Sequence, residues 1–178
     1  MAEFAQLQEK TAVVTGSSSG IGRAIAIEFA RAGANVLVHY AKSEDKAIQT
    51  VETIAQETGR QARIIGCDFS DTKSLNSFPA EVWELTKQVD IWVNNAGVDL
   101  LTGEAKEFSP QTKLQKLLEI DVTSTVLLSR DVGNRMQTQG HGALLNIGWD
   151  QADRGMEGLS GELFSVSKNA IMGFSRSL

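Results

Sequence analysis

The sequence is poor in cysteine, in basic charge and in long apolar runs, and each shortage removes a class of protein. Its one cysteine, Cys67, cannot close an internal disulfide, so a reducing, cytoplasmic setting is expected. Cys67 itself lies in an apolar run and is expected in the core. Lys and Arg number 17 against 22 Asp and Glu, giving a net charge of −5 and a pI near 5.1. A phosphate backbone needs a clustered basic surface, which this chain lacks, so no nucleic acid partner is expected. No apolar run approaches the length that spans a bilayer, and the opening MAEFAQLQEK has no apolar stretch of the kind a signal peptide carries, so no membrane partner is expected. The two histidines, His39 and His141, have no companions at metal-ligand spacing, and no metal is assigned. His141 lies between Gly140 and Gly142 and reads as a turn residue, whereas His39 is either core or an adenine contact. Repeats, low-complexity tracts and linkers are absent.

What is present is a chain of 178 residues, 42% hydrophobic, long enough to bury one core, so residues 1–178 are expected to form a single domain. Short β-branched runs alternate with longer helix-period stretches, the pattern of βαβ units in a parallel sheet. Thr11 to Thr15, Asn35 to His39, Arg63 to Cys67, Asp90 to Asn94 and Ala143 to Ile147 read as five buried strands, too apolar for a sheet with a wet face. Helices are expected from Ile21 to Ala32, closed by Gly33, and from Glu44 to Thr58, closed by Gly59. Ser109-Pro110 supplies an N-cap and a first-turn proline for a long amphipathic helix ending near Gln139. Gly158 to Gly161 reads as a loop, and Glu162 to Leu178 as a final helix that stops without a cap, as if cut in mid-element. Ligands of open parallel sheets bind beyond the carboxyl ends of the strands, so Gly148 to Gly161 and Val98 to Ser109 are the expected walls of a site.

The first strand runs into Thr15-Gly16-Ser17-Ser18-Ser19-Gly20-Ile21-Gly22 and then a helix. Gly16 permits a tight turn, Gly20 lets backbone approach a pyrophosphate, Gly22 allows close packing, and the helix N-terminus offers free N–H groups to phosphates. The loop lacks the Gly-Lys-Ser/Thr ending of a nucleotide-hydrolysing phosphate loop, which excludes that class. An acid at the end of the second strand would bind a ribose 2′-OH and repel a 2′-phosphate, but the chain reads His39-Tyr40-Ala41-Lys42-Ser43 there. Lys42 and Ser43 suit a phosphate, so NADP is expected ahead of NAD. The missing acid also weighs against a methyltransferase.

Thr15 to Gly22, Asp68 after the third strand, Asn94-Asn95-Ala96-Gly97, the helix Ser124 to Arg130 and Lys168 together resemble the short-chain dehydrogenase/reductase family over the whole chain. The resemblance implies an α/β fold, a doubly wound parallel sheet of Rossmann type in the order 3-2-1-4-5, in three αβα layers. It also implies an oxidoreductase moving a hydride to or from a small carbonyl or alcohol substrate. Its cofactor residues would be Gly16, Ser18, Ser19, Gly20, Ile21, Gly22, Tyr40, Lys42, Asp68, Phe69, Asn95, Ala96, Gly97 and Lys168. The family's catalytic tyrosine, serine and asparagine are replaced here by Phe164, Trp149 and Asp121; Lys168 alone matches. Neither a phenyl ring nor an indole can stand in for a tyrosine acid, and losing a positioned acid costs about 10² to 10⁴ in rate. Two readings follow: an oxidoreductase whose proton comes from Asp121, Asp150 or Ser165, acting with Lys168, or a noncatalytic NADP-binding protein with a structural, sensing or partner-binding role. Family members continue past the last helix, so the chain reads as truncated there, leaving the fifth strand an exposed edge. Apolar faces on Leu114 to Met136 and Val166 to Phe174 predict a homodimer or homotetramer.

Overall fold

The computed structural model describes residues 6–100 and 103–178. Five strands form one parallel sheet in the order β3-β2-β1-β4-β5, with β1 Thr11–Val14, β2 Asn35–Tyr40, β3 Ala62–Gly66, β4 Ile91–Asn94 and β5 Ala143–Asn146. Each lies within a residue or two of its expected run. Side chains alternate across the central strands. Val13, Leu37 and Trp92 face one side, while Ala12, Val14, Val36, Val38 and Val93 face the other.

The second face is covered by α1 (Gly20–Arg31) and α2 (Glu44–Thr58). On α1 the buried positions are Gly22, Ala26 and Ala30, so the helix presents almost no side-chain bulk and sits close on the sheet. The first face packs against α3 (Thr72–Thr86) and α5 (Ser124–Gln139), with α4 (Pro110–Lys116) and a π-helical turn at Leu117–Thr123 leading into α5. Their larger side chains, Phe78, Val82, Leu128 and Val132, fill the space around Trp92. A last helix, α6 (Leu159–Ser175), packs on the π turn and β5.

Several expectations need correction. The helix α3 has no counterpart among the expected elements. Pro79 sits inside it, a residue that removes a helical donor, and the start is set instead by Asp71, whose carboxylate accepts the N–H groups of Lys73 and Ser74 at 3.2 and 3.3 Å. The long helix does end at Gln139 against Gly140, at φ +86°, but it is interrupted by the π turn. The final helix begins at Leu159, not Glu162. Gly161 lies inside its first turn, and since a Cβ there would strike the carbonyl oxygen of Met156, this glycine serves close packing and not a loop. That helix also closes at Arg176, whose N–H donates to Met172 O at 3.3 Å, rather than running on to Leu178. Nor are all five strands buried: Leu145 on β5 is 45% exposed, because an edge strand has a neighbour on one side only. Residues 101 and 102, within the expected Val98 to Ser109 wall, and 1 to 5 of the opening segment lie outside the described residues.

Candidate active site

The glycine loop is held from three directions. Thr15, fully buried at the end of β1, accepts the N–H groups of Asn95 and Ala96 on its Oγ1, both at 2.9 Å. The Asn95 amide in turn donates to Thr15 O at 2.9 Å and Gly16 O at 3.3 Å. Gly16 has φ +65°, and a Cβ on it would lie 2.8 Å from Ala96 Cα, so both the turn and the approach of the second loop demand glycine. The Ser17 hydroxyl donates to Val14 O at 2.6 Å and accepts the His39 N–H at 3.0 Å. Beyond these anchors Gly20 has φ +57° with open space where a side chain would be. Ser19, at the N-cap of α1, makes no side-chain capping bond, so no side chain competes for the first-turn amides.

A cleft of about 540 Å³ opens over this loop, and its walls include Gly16, Ser18, Ser19, Lys42, Asp68, Phe69, Asn95, Ala96 and Gly97. Most of the expected cofactor residues therefore converge. A loop with a bare glycine, unfilled amides and an adjacent cation fits a dinucleotide's phosphates. At the mouth the Lys42 ammonium lies 3.4 Å from the Asp68 carboxylate, and hydrogen bonds from Ser70 together with Lys42 hold that carboxyl below its usual range. Phe69 stacks on the His39 ring at a centroid distance of 4.4 Å. Cys67 also borders the cleft, with burial pushing its thiol up to about 12, so it is inert at neutral pH. Tyr40 does not join this wall. Its ring packs where a Gly66 side chain would be and its hydroxyl pairs with Glu44. Ile21, on the first turn of α1, is 67% exposed beside the loop.

Behind the cleft wall lies a buried ion pair. Asp121, in the π turn, accepts the Val98 N–H at 2.9 Å, and a Cβ on Gly97 would lie 2.9 Å from its Oδ2. That turn is a place where an extra residue redirects side chains, a device common at functional sites. Lys168 reaches across from α6, its Nζ donating to Ile147 O at 3.1 Å and standing 4.0 Å from Asp121 Oδ2. Burial raises the Asp121 carboxyl to about 6 in spite of the Val98 N–H and the lysine, and burial likewise lowers the Lys168 ammonium in spite of the carboxylate. In both groups desolvation outweighs pairing.

The aromatic replacements meet each other. Trp149 and Phe164 pack edge to face with ring centroids 6.1 Å apart. Ser165 Oγ is enclosed without a hydrogen-bond partner, and Asp150 stays at the surface, where it accepts from the Gln151 amide at 3.1 Å. Of the three proposed proton donors, only Asp121 is seen in contact with the Lys168 environment.

The family model for short chain dehydrogenases matches residues 10–178. The chain belongs to the short-chain dehydrogenase family. Its family relatives include the 2-dehydro-3-deoxy-D-gluconate 5-dehydrogenase of Bacillus subtilis, 31% identical over 96% of this chain and 64% of that protein. They also include the 3-oxoacyl-[acyl-carrier-protein] reductase of Aquifex aeolicus, 32% identical over 97% of this chain and 68% of that one. The chain thus spans about two thirds of the length of such relatives. Among solved family structures, a short chain dehydrogenase from Burkholderia cenocepacia in complex with NADP superposes with a TM-score of 0.80 at 31% identity, covering 97% of this chain and 68% of that one. A metagenomic short-chain oxidoreductase, also in complex with NADP, gives 0.82 at 28% identity, covering 97% and 76%. Within the glycine loop, Thr15 and Ser17 hold the backbone although neither figures in the cofactor set expected from the sequence. Thr15 was legible as the residue opening the glycine signature; the role of Ser17 depends on the distant His39, and no local pattern announces it.

Proposed function

We propose that this chain is the nucleotide-binding domain of an NADP(H)-dependent oxidoreductase that interconverts a carbonyl and an alcohol on a small molecule. The observation that carries the reading is the uncapped start of α1 beneath Gly20, opening on a cleft whose rim holds Lys42. NADP is preferred to NAD because no carboxylate ends β2, and Lys42 and Ser43 stand there to meet a 2′-phosphate. The relatives' own names, a dehydrogenase and a reductase, and the NADP in two related structures, support the same direction.

With NADPH held in the cleft, its nicotinamide would supply a hydride to the carbonyl carbon, and the oxygen would then need a proton. Phe164 and Trp149 cannot donate one to it in place of the usual tyrosine acid. In this reading the Lys168 ammonium gives the proton and Asp121, 4.0 Å away and raised by burial to about 6, restores it. A group with a pKa close to the working pH is suited to that exchange. Trp149 and Phe164, packed edge to face, would offer the substrate apolar surface in place of the missing hydroxyl groups.

Residues 1–178 act as one domain in this proposal, a homodimer or homotetramer in the cytoplasm. The support for assembly is apolar surface left on the helices: Leu118, Leu127 and Val166 are all exposed. Among the described residues no helix is long and apolar enough to cross a membrane.

The test is titration calorimetry with NADP⁺ and NAD⁺, followed by a carbonyl panel with NADPH. Tighter NADP⁺ binding is expected, with turnover that falls at least about 100-fold in Lys168→Ala. Tight binding with no turnover, and turnover gained in Phe164→Tyr with Trp149→Ser, would transfer support to a noncatalytic nucleotide-binding role. No heat with either coenzyme would end the proposal.

A further inference from the structure

His39 lies on β2 yet makes its contacts with two other parts of the cleft. Its Nδ1 accepts the N–H of Gly16 at 2.9 Å, and its Nε2 meets Cys67 O at 2.9 Å. A backbone N–H can only donate and a carbonyl can only accept, so the ring must be neutral with its proton on Nε2. Its own backbone adds two more ties, the N–H to Ser17 Oγ at 3.0 Å and the carbonyl to the Ser17 N–H at 2.9 Å. One residue therefore fastens the turn after β1 to the end of β3.

We propose that His39 is the positioning residue that holds the glycine loop in its phosphate-receiving shape, and that protonating its ring releases Gly16 and weakens nucleotide binding. The inference rests on the nucleotide reading of the cleft. A second proton would put a donor on Nδ1 against the donor of Gly16, so the bond that sets the turn would become a repulsion. Gly16 has little freedom to adjust, since Ala96 closes its other side. The surroundings oppose that proton. The ring is 1% exposed and packed between Phe69 and Phe78, and burial lowers its pKa to about 4. The titratable groups around it are Cys67, whose carbonyl it meets, and Asp68, whose charge acts against the shift; Lys42 is paired to Asp68, and Glu81 and Asp71 act on Cys67. No carboxylate contacts the ring directly among the described contacts, so acid is what loosens the loop.

His39→Asn keeps an acceptor at the Nδ1 position and cannot titrate; His39→Phe keeps the ring's bulk and has no acceptor. NADP⁺ affinity is measured from pH 7.5 down to about pH 3.5, so that the range passes through the ring's folded pKa of about 4. The expected result at pH 7.5 is binding within a few fold of wild type for His39→Asn and at least tenfold weaker for His39→Phe. On acidification wild type should weaken more steeply than His39→Asn. The nucleotide's 2′-phosphate also titrates near pH 6, but equally against both proteins, so their difference isolates the histidine. Equal pH profiles, or undiminished binding in His39→Phe, would overturn the inference. Amide exchange at Gly16 without nucleotide gives an independent reading: it should be slow in wild type and His39→Asn and fast in His39→Phe. If wild type binds neither coenzyme, the functional proposal falls, while Gly16 exchange still decides whether His39 holds the loop. Should His39→Phe fail to fold, wild type against His39→Asn remains a complete test.

Discussion

At the scale of single residues, the two positive-φ glycines of the loop have different tasks, and substitution separates them. Gly20 at φ +57° has nothing within contact of a new Cβ, so Gly20→Ala costs only the left-handed backbone, about 1 to 2 kcal/mol. Gly16→Ala adds a clash with backbone atoms of Ala96 that cannot swing aside, so its cost should exceed that of Gly20→Ala by a further ~1 to 3 kcal/mol. Urea unfolding should rank them in that order. Nucleotide affinity should fall in both, and in Gly20→Ala it should fall although most of the stability is kept. A Gly20→Ala protein that binds NADP⁺ like wild type would show that the phosphates do not approach there. Lys168→Met makes a second residue-level test. Removing the cation 4.0 Å from Asp121 Oδ2 removes one of the two influences that lower that carboxyl, so its titration should move above 6, followed by carbon NMR of the Asp121 carboxyl. A carboxyl that titrates unchanged would show that the two groups do not communicate.

At the scale of elements, what periodicity and capping reveal is what the sequence made legible. The five strands, α1, α2 and the Gln139 terminus each rest on a local signal: a β-branched run, or a glycine such as Gly59 at φ +67° that ends a helix. The misreadings occur where a distant partner overrides a local rule. The helix α3 went unread altogether, and Pro79 is buried within it; Gly161 reads as a loop, yet it is the helix position that Met156 leaves no room to fill. The π turn has no local signature either, although it carries Asp121. In the site, residue types were legible and their partners were not: Asp121 and Lys168 stand 47 positions apart, and Asp150, adjacent to Trp149 in sequence, turns to solvent. The difference between edge and centre of the sheet gives a prediction. Trp92→Ala on β4 removes a fully buried ring and its indole N–H bond to Asn94, at 2.8 Å, and should cost about 3 to 5 kcal/mol. Leu145→Lys on the β5 edge should cost less than about 1 kcal/mol and reduce aggregation on heating. Equal losses of stability would mean that β5 is covered in solution, which sedimentation of the same variant would reveal as a change in assembly.

At the scale of the molecule, His39 in the cleft and Asp121 behind its Gly97–Val98 wall act against each other as pH changes. His39 titrates near 4 when folded and 6.5 when free, so the unfolded chain binds more protons between those values and stability rises with pH there. Asp121 titrates near 6 when folded and 3.8 when free, so the folded chain binds more protons and stability falls as pH rises through that window. Each shift corresponds to roughly 3 kcal/mol, and the windows overlap from about pH 4 to 6, so in wild type the two slopes largely cancel. Asp68, Asp71 and Asp90, all held below their usual range, add a loss of stability at lower pH that every variant shares. Removing one member should therefore unmask the other. Asp121→Asn should gain stability steadily from pH 4 to 6.5, and His39→Asn should lose it over pH 4 to 6, whatever either substitution does to the absolute level. Urea midpoints at half-unit steps of pH would measure the slopes, and three parallel curves would mean that neither group is buried in the charge state the fold requires.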